Sequence, residues 1–196
     1  MSTLNTPKVT ETLNTLHELA SHDHKTGLPG NNATRFMAIT EDQGKFLNFL
    51  VTLTKTKNIV EFGTSFGIST IYLAAAAKDT GGTVTTTEME ASKVTTAQNN
   101  IDNAGVGDVV EILPGDATQT LLAYNKKVDF LFLDGAKELY IPVFDLLYAK
   151  LSSNAVVVAD NIDKPETRPF VDYIQAKSEF ICIQLFEGRM LVAYKK

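Results

Sequence analysis

The chain has 196 residues and a formal net charge of −5 at pH 7. This length is typical of one domain that is large enough to bury its own hydrophobic core. Hydrophobic residues make up 44% of the sequence and charged residues 21%, which excludes the disordered and fibrous classes. The mild acidity and the lack of a basic block give no support for a nucleic acid or an anionic membrane as a partner.

Cysteine usage and the length of apolar runs restrict the class of protein further. Cys182 is the single cysteine, so an intrachain disulfide or a thiolate metal cluster is excluded. Its apolar neighbours predict a small, buried hydrophobic side chain. No apolar run approaches the roughly 20 residues that cross a bilayer, and residues 1–16 lack the features of a secretion signal. We therefore expect a cytoplasmic protein without membrane contact.

Residues 1–55 are predicted to form an N-terminal helical cap region. Apolar residues recur at helical spacing within residues 6–20, at Val9, Leu13, Leu16 and Ala20. The stripe must pack on the protein's own core or on a partner, and on this ground we expect a homodimer. The polar residues 21–32 predict a loop, in which His22 and His24 are interpreted as solvated side chains rather than metal ligands.

A second helix of the cap region is predicted to begin after Thr40. Gln43 lies three residues further on, and the two form the capping-box pattern, in which each side chain bonds the other residue's backbone N–H. The predicted buried face of this helix comprises Phe46, Leu47, Leu50 and Leu53.

Residues 56–196 are predicted to form the α/β core of the same domain. Short apolar runs predict strands over residues 58–62, 84–87, 109–113, 128–133 and 155–159. Helices lie between them, and one is predicted over residues 91–104. This alternation predicts parallel strands joined by right-handed crossovers, and the runs 180–185 and 190–194 predict a closing antiparallel hairpin. The expected fold is a single-domain, three-layer α/β sandwich, because a (β/α)8 barrel would need eight such units.

The first predicted core strand leads into a glycine-containing turn, residues 63–67. Glycines at a strand-to-helix turn let the backbone approach a ligand closely, and the helix that follows offers unpaired N–H groups. The dinucleotide-binding pattern G-x-G-x-x-G is not met, since Ser65 and Ile68 replace its second and third glycines. NAD is therefore disfavoured as the cofactor.

Carboxylates follow the second and third predicted strands. Glu88 lies 25 positions after Gly63 and can accept hydrogen bonds from both hydroxyls of a ribose, although it can also be a solvated strand-end residue. Asp116, within Pro114-Gly115-Asp116-Ala117, can accept a hydrogen bond from an adenine amine or can cap the next helix.

The fourth and fifth predicted strands also end in carboxylates, at Asp134 and at the pair Asp160-Asn161. Neighbouring parallel strands lie about 4.8 Å apart, so these side chains can converge on one hard cation. Three oxygen ligands with open positions suit Mg²⁺, with Mn²⁺ or Ca²⁺ as alternatives. Lys137 follows Asp134 by three residues, where nearby positive charge would favour the neutral, proton-accepting amine. The alternative for Lys137 is a solvated lysine in the first turn of a helix.

These motifs resemble those of one enzyme family. The acidic residue ahead of glycines four apart resembles motif I of class I S-adenosylmethionine-dependent methyltransferases. Asp134-x-x-Lys137-x-x-Tyr140, followed by Asp160-Asn161, resembles the catechol and caffeoyl-CoA O-methyltransferases and their small bacterial relatives. The resemblance runs from about Met37 to the C-terminus.

The resemblance implies a Rossmann-like methyltransferase sandwich and a role for each motif. Lys137 is expected to deprotonate the acceptor hydroxyl, and Asp134, Asp160 and Asn161 to hold the metal. The expected S-adenosylmethionine contacts are Met37, Ile39, Glu61, Gly63, Ser65, Gly67, Ser69, Glu88, Met89, Asp116, Ala117 and Asp134. The expected acceptor is a small molecule with a catechol-like or phenolic hydroxyl.

Departures from the family pattern leave the acceptor open. Ala136 stands where the animal catechol enzymes carry a bulky aromatic residue, whereas Pro165 matches their gatekeeping proline. An acidic residue that orients catechol in them has no clear counterpart. The alternatives are methylation of 5-hydroxyuridine in tRNA, which the acidic balance disfavours, a non-catalytic cofactor-binding module, and an NAD-dependent oxidoreductase.

Overall fold

The computed structural model describes residues 2–26 and 34–196. The helices are α1 (Pro7–Thr26), α2 (Glu41–Thr54), α3 (Ile68–Thr80), α4 (Ala91–Asn103), α5 (Ala117–Thr120), α6 (Tyr140–Tyr148) and α7 (Arg168–Gln175). The strands are β1 (Asn58–Phe62), β2 (Thr83–Glu88), β3 (Val110–Pro114), β4 (Val128–Leu133), β5 (Leu151–Ala159), β6 (Phe180–Leu185) and β7 (Met190–Lys195). Within the described ranges, no helix is both long enough and apolar enough to span a bilayer.

All seven strands belong to one sheet with the order β3-β2-β1-β4-β5-β7-β6. The pairs among β1 to β5 are parallel, whereas β7 runs antiparallel to both β5 and β6. The predicted parallel sheet with a terminal antiparallel hairpin is therefore confirmed. The order reverses direction between β1 and β4, which places a cleft at the carboxyl ends of these strands.

Helices cover both faces of the sheet and create two hydrophobic cores. Neighbouring residues of a strand point to opposite faces; Ile59 joins the core beneath α1 to α4, and Val60 joins the core beneath α5 to α7. The three-layer prediction is confirmed, and both cores hold the strand ends in place around the cleft.

The N-terminal helices pack on the first of these cores. Val9, Leu13, Leu16 and Ala20 are all buried there, as their spacing predicts. The predicted loop over residues 21–32 is wrong for residues 21–26, which extend α1 to Thr26, and residues 27–33 lie outside the described ranges. Polar residues form this last stretch of helix, so the sequence offered no apolar period to indicate it.

The second helix begins as predicted. Thr40 accepts a hydrogen bond from the Gln43 backbone N–H, and the Gln43 side chain accepts one from the Thr40 N–H, which completes the capping box. The predicted buried face is confirmed for Leu47, and Phe46 and Leu50 pack partly buried against the same core. It is wrong for Leu53, which is 63% exposed, while Asn48 and Val51 are buried. The helix packs Gly44 against Tyr72 of α3, and this close approach fixes which side of α2 faces inward.

Two further sequence predictions need correction. β5 begins at Leu151, four residues before the predicted 155, because Leu151 pairs with Val128 ahead of an irregularity in the ladder. Cys182 is only partly buried, since it lies on β6, the edge strand, where Ile181 and Ile183 are exposed.

Candidate functional site

The carboxyl ends of the parallel strands face a cleft of about 1040 Å³. Lys137, Asp134, Asp160 and Asn161 line it, as do most of the predicted cofactor residues. The lining cofactor candidates are Met37, Ile39, Gly63, Ser65, Ser69, Glu88, Met89, Asp116, Ala117 and Asp134. Glu61 and Gly67 are not among the lining residues. The cleft thus joins the predicted cofactor site to the predicted metal site.

The turn after β1 brings the backbone close to this cleft. Gly63 has a φ of +104°, and a Cβ atom there would lie 2.7 Å from the Asp134 carbonyl oxygen at the end of β4. Ser65 has a φ of +49°, a left-handed conformation that costs a non-glycine residue about 1 kcal/mol or more. The turn is therefore held in a strained form by its surroundings.

Glu88 is one of the groups that hold the turn. Its Oε2 accepts a hydrogen bond from the Ser65 backbone N–H at 2.7 Å, and its Oε1 accepts one from the Glu90 N–H at 2.9 Å. Each carboxylate oxygen has a second lone-pair direction. Glu88 is therefore fixed in orientation at the edge of the cleft with acceptor capacity to spare.

Glu61 lies beneath the turn. The side chain is completely buried, and Oε2 accepts a hydrogen bond from the Thr70 hydroxyl at 2.5 Å. Within the described part of the chain, Oε1 has no hydrogen-bond partner. Burial raises the pKa of the Glu61 carboxyl, against the effect of hydroxyl groups that bond it. In this structure Glu61 supports α3 and the turn from below.

Asp116 caps a helix and also lines the cleft. Its Oδ1 accepts hydrogen bonds from the Thr118 N–H and hydroxyl, both at 2.8 Å, so the capping alternative is what the structure contains. Asp116 and Ala117 still border the cleft at the end of β3.

Lys93 is a lining residue that the sequence analysis missed. Only 1% of it is exposed, and Nζ donates to the Arg35 carbonyl oxygen at 3.2 Å and to the Ser65 hydroxyl at 3.4 Å. Nζ also lies 5.1 Å from the centre of the Phe66 ring, which stacks on Phe36. Burial lowers the pKa of the Lys93 amine. Its position four residues before buried Ala97 on α4 was the available indication that it faces inward.

The carboxylates at the other end of the cleft are held by the sheet. The Asp134 N–H donates to the Phe62 carbonyl oxygen and the Asp160 N–H to that of Leu133, so β1, β4 and β5 end side by side. The Asp134 side chain is 12% exposed and that of Asp160 only 1%. Burial, opposed by Lys137 and reinforced by Asp160, raises the pKa of Asp134 to about 7.

Lys137 lies between the two strand ends. Its Nζ is 3.1 Å from Asp134 Oδ1 and 3.0 Å from the Tyr140 hydroxyl oxygen. The Tyr140 hydroxyl in turn donates to the Asp160 carbonyl oxygen at 3.0 Å. This chain of hydrogen bonds orients the lysine head group toward the cleft.

Two side chains donate hydrogen bonds to Asp160, and the sequence analysis placed neither of them at this site. Gln43 Nε2 donates to Oδ1 at 2.8 Å, while the amide oxygen of Gln43 belongs to the capping box. Arg189 donates from Nε to Oδ1 and from Nη2 to Oδ2, both at 3.3 Å. Asp160 is therefore anchored by the cap region and by the terminal hairpin.

The donor set suits a hard divalent cation. Asp134 and Asp160 supply carboxylate oxygens and Asn161 an amide oxygen, the ligand types of Mg²⁺. Two buried carboxylates repel each other, and a dication between them would remove that repulsion. Among the described residues no three His, Cys, Asp or Glu side chains form a metal cluster, so this candidate site depends on the Asn161 amide.

A glycine turn after β1 and acidic strand ends after β2, β4 and β5 define the architecture of a class I methyltransferase. An O-methyltransferase from Bacillus cereus, solved in complex with S-adenosylhomocysteine, has this fold at a TM-score of 0.77 and 26% identity. The superposition covers 95% of this chain and 91% of that one.

Residues 9–164 match the sequence profile of the O-methyltransferase family, and the chain belongs to that family. It is 33% identical over 146 residues to a catechol O-methyltransferase from Niastella koreensis, which covers 69% of this chain and 66% of that protein. It is 34% identical over 127 residues to one from Mycobacterium tuberculosis, covering 64% and 57%. The matched region thus spans less than two thirds of these curated relatives.

Proposed function

We propose that the protein transfers the methyl group of S-adenosylmethionine to a hydroxyl of a small aromatic acceptor, with a divalent cation at Asp134, Asp160 and Asn161. The observation that carries the proposal is the position of Lys137. Its amine lies beside the candidate metal ligands in the same cleft whose other end presents Glu88. A single cleft therefore offers a cofactor end and a proton acceptor.

The cofactor end has the groups that an adenosyl ligand needs. Glu88 is oriented by Ser65 and Glu90 and retains lone pairs for ribose hydroxyls. Met89 is 69% exposed and borders the cleft, where its side chain can cover an adenine ring. The Bacillus cereus relative carries S-adenosylhomocysteine, the product that S-adenosylmethionine leaves after methyl transfer.

At the acceptor end, the protein's own residues position and ionise the hydroxyl. A divalent cation, when bound, favours the ionised form of an adjacent hydroxyl and orients two neighbouring oxygens. The neutral Lys137 amine accepts the proton of the acceptor hydroxyl at Nζ. Hydrogen bonds to Asp134 and Tyr140 fix the orientation of this amine. The Lys137 side chain is 17% exposed, so its proton can pass to solvent.

The chemistry of the site and the names of the relatives support the proposed class of acceptor. Asp134, Asp160 and Asn161 would leave positions on a bound cation for two adjacent acceptor oxygens, and the named relatives are catechol O-methyltransferases. Ala136 is exposed at the cleft, which leaves room beside Lys137 for a substituted ring.

Transfer of a labelled methyl group from S-adenosylmethionine tests the proposal directly. Catechols, flavonoids and hydroxylated or unmodified tRNA serve as acceptors, each with Mg²⁺ and with excess chelator. We expect methyl transfer to a catechol-type acceptor. This transfer should stop when the metal is chelated and return when Mg²⁺ or Mn²⁺ is added.

The Glu88→Ala variant should lose cofactor affinity in calorimetry, and NAD should not bind. Transfer in metal-free protein, or to hydroxylated tRNA alone, would contradict the proposal.

A further inference from the structure

Arg189 lies at the acceptor end of the cleft, at the end of the turn between β6 and β7. Phe186 and Glu187 in this turn have φ values of +52° and +55°, which are costly for residues with side chains. The Phe186 ring packs edge-on against Phe46 of α2, 5.5 Å between centres, and this contact offsets part of that cost. The turn is thus held in a form that brings its last residue to the cleft.

The backbone of Arg189 is tied to the loop that carries the candidate metal ligands. Its N–H donates to the Phe186 carbonyl oxygen at 3.0 Å, and its own carbonyl oxygen accepts from the Ile162 N–H at 2.8 Å. Ile162 directly follows Asn161. The backbone from which the Arg189 side chain extends is therefore held in a fixed position relative to Asp160 and Asn161.

Within residues 2–26 and 34–196, hydrogen bonds engage only one edge of the Arg189 guanidinium. Nε and Nη2 each donate one hydrogen to Asp160, and a guanidinium has five N–H donors in a plane. The remaining donors, two on Nη1 and one on Nη2, have no hydrogen-bond partner in the described ranges. The side chain is 40% exposed, so the free edge is accessible from the cleft.

Asp160 can keep this arginine while serving as a metal ligand. A carboxylate has about four lone-pair sites. Gln43 and Arg189 occupy three of them, two on Oδ1 and one on Oδ2. One site on Oδ2 remains for a cation, so Arg189 need not leave when a metal binds.

The charges around the acceptor end favour an anionic ligand. Lys164 and Arg189 line the cleft together with Asp134, Asp160 and Asp163. Lys137 is neutral before it takes the acceptor proton, so these side chains together carry a net charge of −1. A bound dication and the sulfonium of the cofactor would add three positive charges. An ionised acceptor hydroxyl neutralises only part of this excess.

We propose that the free edge of Arg189 is an anion subsite, and that the preferred acceptor carries a carboxylate on the ring bearing its adjacent hydroxyls. The inference rests on the proposed function and narrows its substrate class. A planar fork of N–H donors pairs with a carboxylate through two parallel hydrogen bonds, which a neutral amide cannot match.

The test compares 3,4-dihydroxybenzoate with 3,4-dihydroxybenzamide, two compounds that differ in this one group. Calorimetry with S-adenosylhomocysteine and Mg²⁺ gives the dissociation constants, and steady-state kinetics with S-adenosylmethionine gives kcat/KM. We expect the wild type to prefer the benzoate by about tenfold or more in both measurements. In Arg189→Gln the ratio should fall to near one, and in Arg189→Lys it should lie between, because the charge stays and the fork is lost.

Arg168→Gln is the matched control. Arg168 also pairs with an aspartate, Asp172 at 3.0 Å, but it is 70% exposed on α7 and does not line the cleft. The preference of Arg168→Gln for the benzoate over the benzamide should equal that of the wild type.

A wild-type preference ratio near one, or an equal ratio in wild type and Arg189→Gln, overturns the anion subsite. If other acceptors are methylated but neither benzoyl compound binds, the subsite fails and the proposed function stands. If no acceptor is methylated at all, both fail.

Discussion

Lys137 is bonded to a buried carboxylate and to a phenol at the same time, which makes its removal informative. We expect Lys137→Ala to lower kcat by about a hundredfold or more, a typical contribution of a positioned general base. The loss should be smaller for a nitrocatechol than for catechol, since a more acidic hydroxyl needs less help to ionise. Steady-state kinetics with both acceptors measures the difference.

Cofactor affinity separates this role from a structural one. Lys137 contacts Asp134 and Tyr140 and none of the groups around Glu88, so calorimetry should give Lys137→Ala a cofactor dissociation constant close to that of the wild type. Tyr140→Phe removes two hydrogen bonds, one with Lys137 and one to the Asp160 carbonyl oxygen, but keeps the amine, and it should retain most of the activity. Weakened cofactor binding with equal slowing of both acceptors would contradict the general-base role.

Lys93 provides a second test at the level of one side chain. It connects Ser65 in the glycine turn to Arg35 in the segment that borders the cleft from the other side. Lys93→Met keeps the apolar stem and loses both hydrogen bonds, so we expect an about tenfold higher dissociation constant for S-adenosylmethionine. The kcat at saturating cofactor should change little.

Lys78→Met is the control for Lys93, because Lys78 also donates to a backbone carbonyl, that of Gly105, but lies outside the cleft. Its cofactor affinity should match the wild type in the same calorimetric titration. An unaltered affinity in Lys93→Met would show that Lys93 serves packing alone.

At the level of elements, packing can reverse the usual effect of a substitution. Glycine inside a helix is about 1 kcal/mol worse than alanine by intrinsic propensity. Gly44 of α2 is an exception, because a Cβ atom there would lie 2.3 Å from the buried ring of Tyr72 on α3. We expect Gly44→Ala to destabilise the protein by about 1–3 kcal/mol, the range for overpacked cores.

Chemical denaturation of Gly44→Ala measures this effect against Asn99→Ala, an alanine substitution at an exposed position of α4. Asn99→Ala should be neutral or slightly stabilising, since only propensity acts there. A Gly44→Ala variant as stable as the wild type would mean that α2 and α3 can separate without loss.

The same packing explains which elements the sequence predicted and which it did not. Strand alternation, the capping box at Thr40 and the terminal hairpin depend on local pattern, and the structure contains all three. The inward side of α2 depends on Gly44 meeting Tyr72, which no local period encodes. The polar end of α1 likewise carried no apolar repeat, so a loop was the expected form.

The residues of the candidate site likewise fall into those that local sequence predicts and those that depend on tertiary packing. Carboxylates at the ends of consecutive parallel strands must share one edge of the sheet, so Glu88, Asp134 and Asp160 could be placed together from sequence. Gln43 reaches Asp160 across 117 residues of chain and Arg189 across 29. Such contacts follow from the packing of the cap region and the hairpin on the sheet, which residue spacing does not reveal.

At the scale of the whole molecule, the apolar stripe of α1 no longer supports the predicted homodimer. Val9, Leu13 and Leu16 pack on the protein's own core, so the α1 stripe needs no partner. Exposed Ile181 and Ile183 on the edge strand β6 offer another apolar surface. Light scattering should give a dimer at tens of micromolar, and Ile181→Lys together with Ile183→Lys should give a monomer. A monomeric wild type would retire the dimer.

Cofactor binding should also stabilise the whole fold, since the cleft is made from the ends of β1 to β5. A ligand at 100 times its dissociation constant adds about 2.7 kcal/mol. For a chain of this size that corresponds to roughly 5–10 °C in Tm. Thermal unfolding with S-adenosylhomocysteine measures it, and Glu88→Ala at the same ligand concentration should show a much smaller shift.

The cation should link stability to pH through Asp134. The pKa of this carboxyl is raised to about 7 by burial, so between about pH 4 and pH 7 the folded state without metal holds a proton that the unfolded state releases. The free energy of unfolding of the metal-free protein should therefore fall as pH rises through this window.

A cation binds the ionised carboxylate, so the increase in Tm caused by Mg²⁺ should be small at pH 6 and larger at pH 8. Asp134→Asn, which does not titrate, should be insensitive to Mg²⁺ at both pH values, because it lacks one of the two carboxylates. A Mg²⁺ shift of equal size at pH 6 and pH 8 in the wild type would show that the cation binds elsewhere.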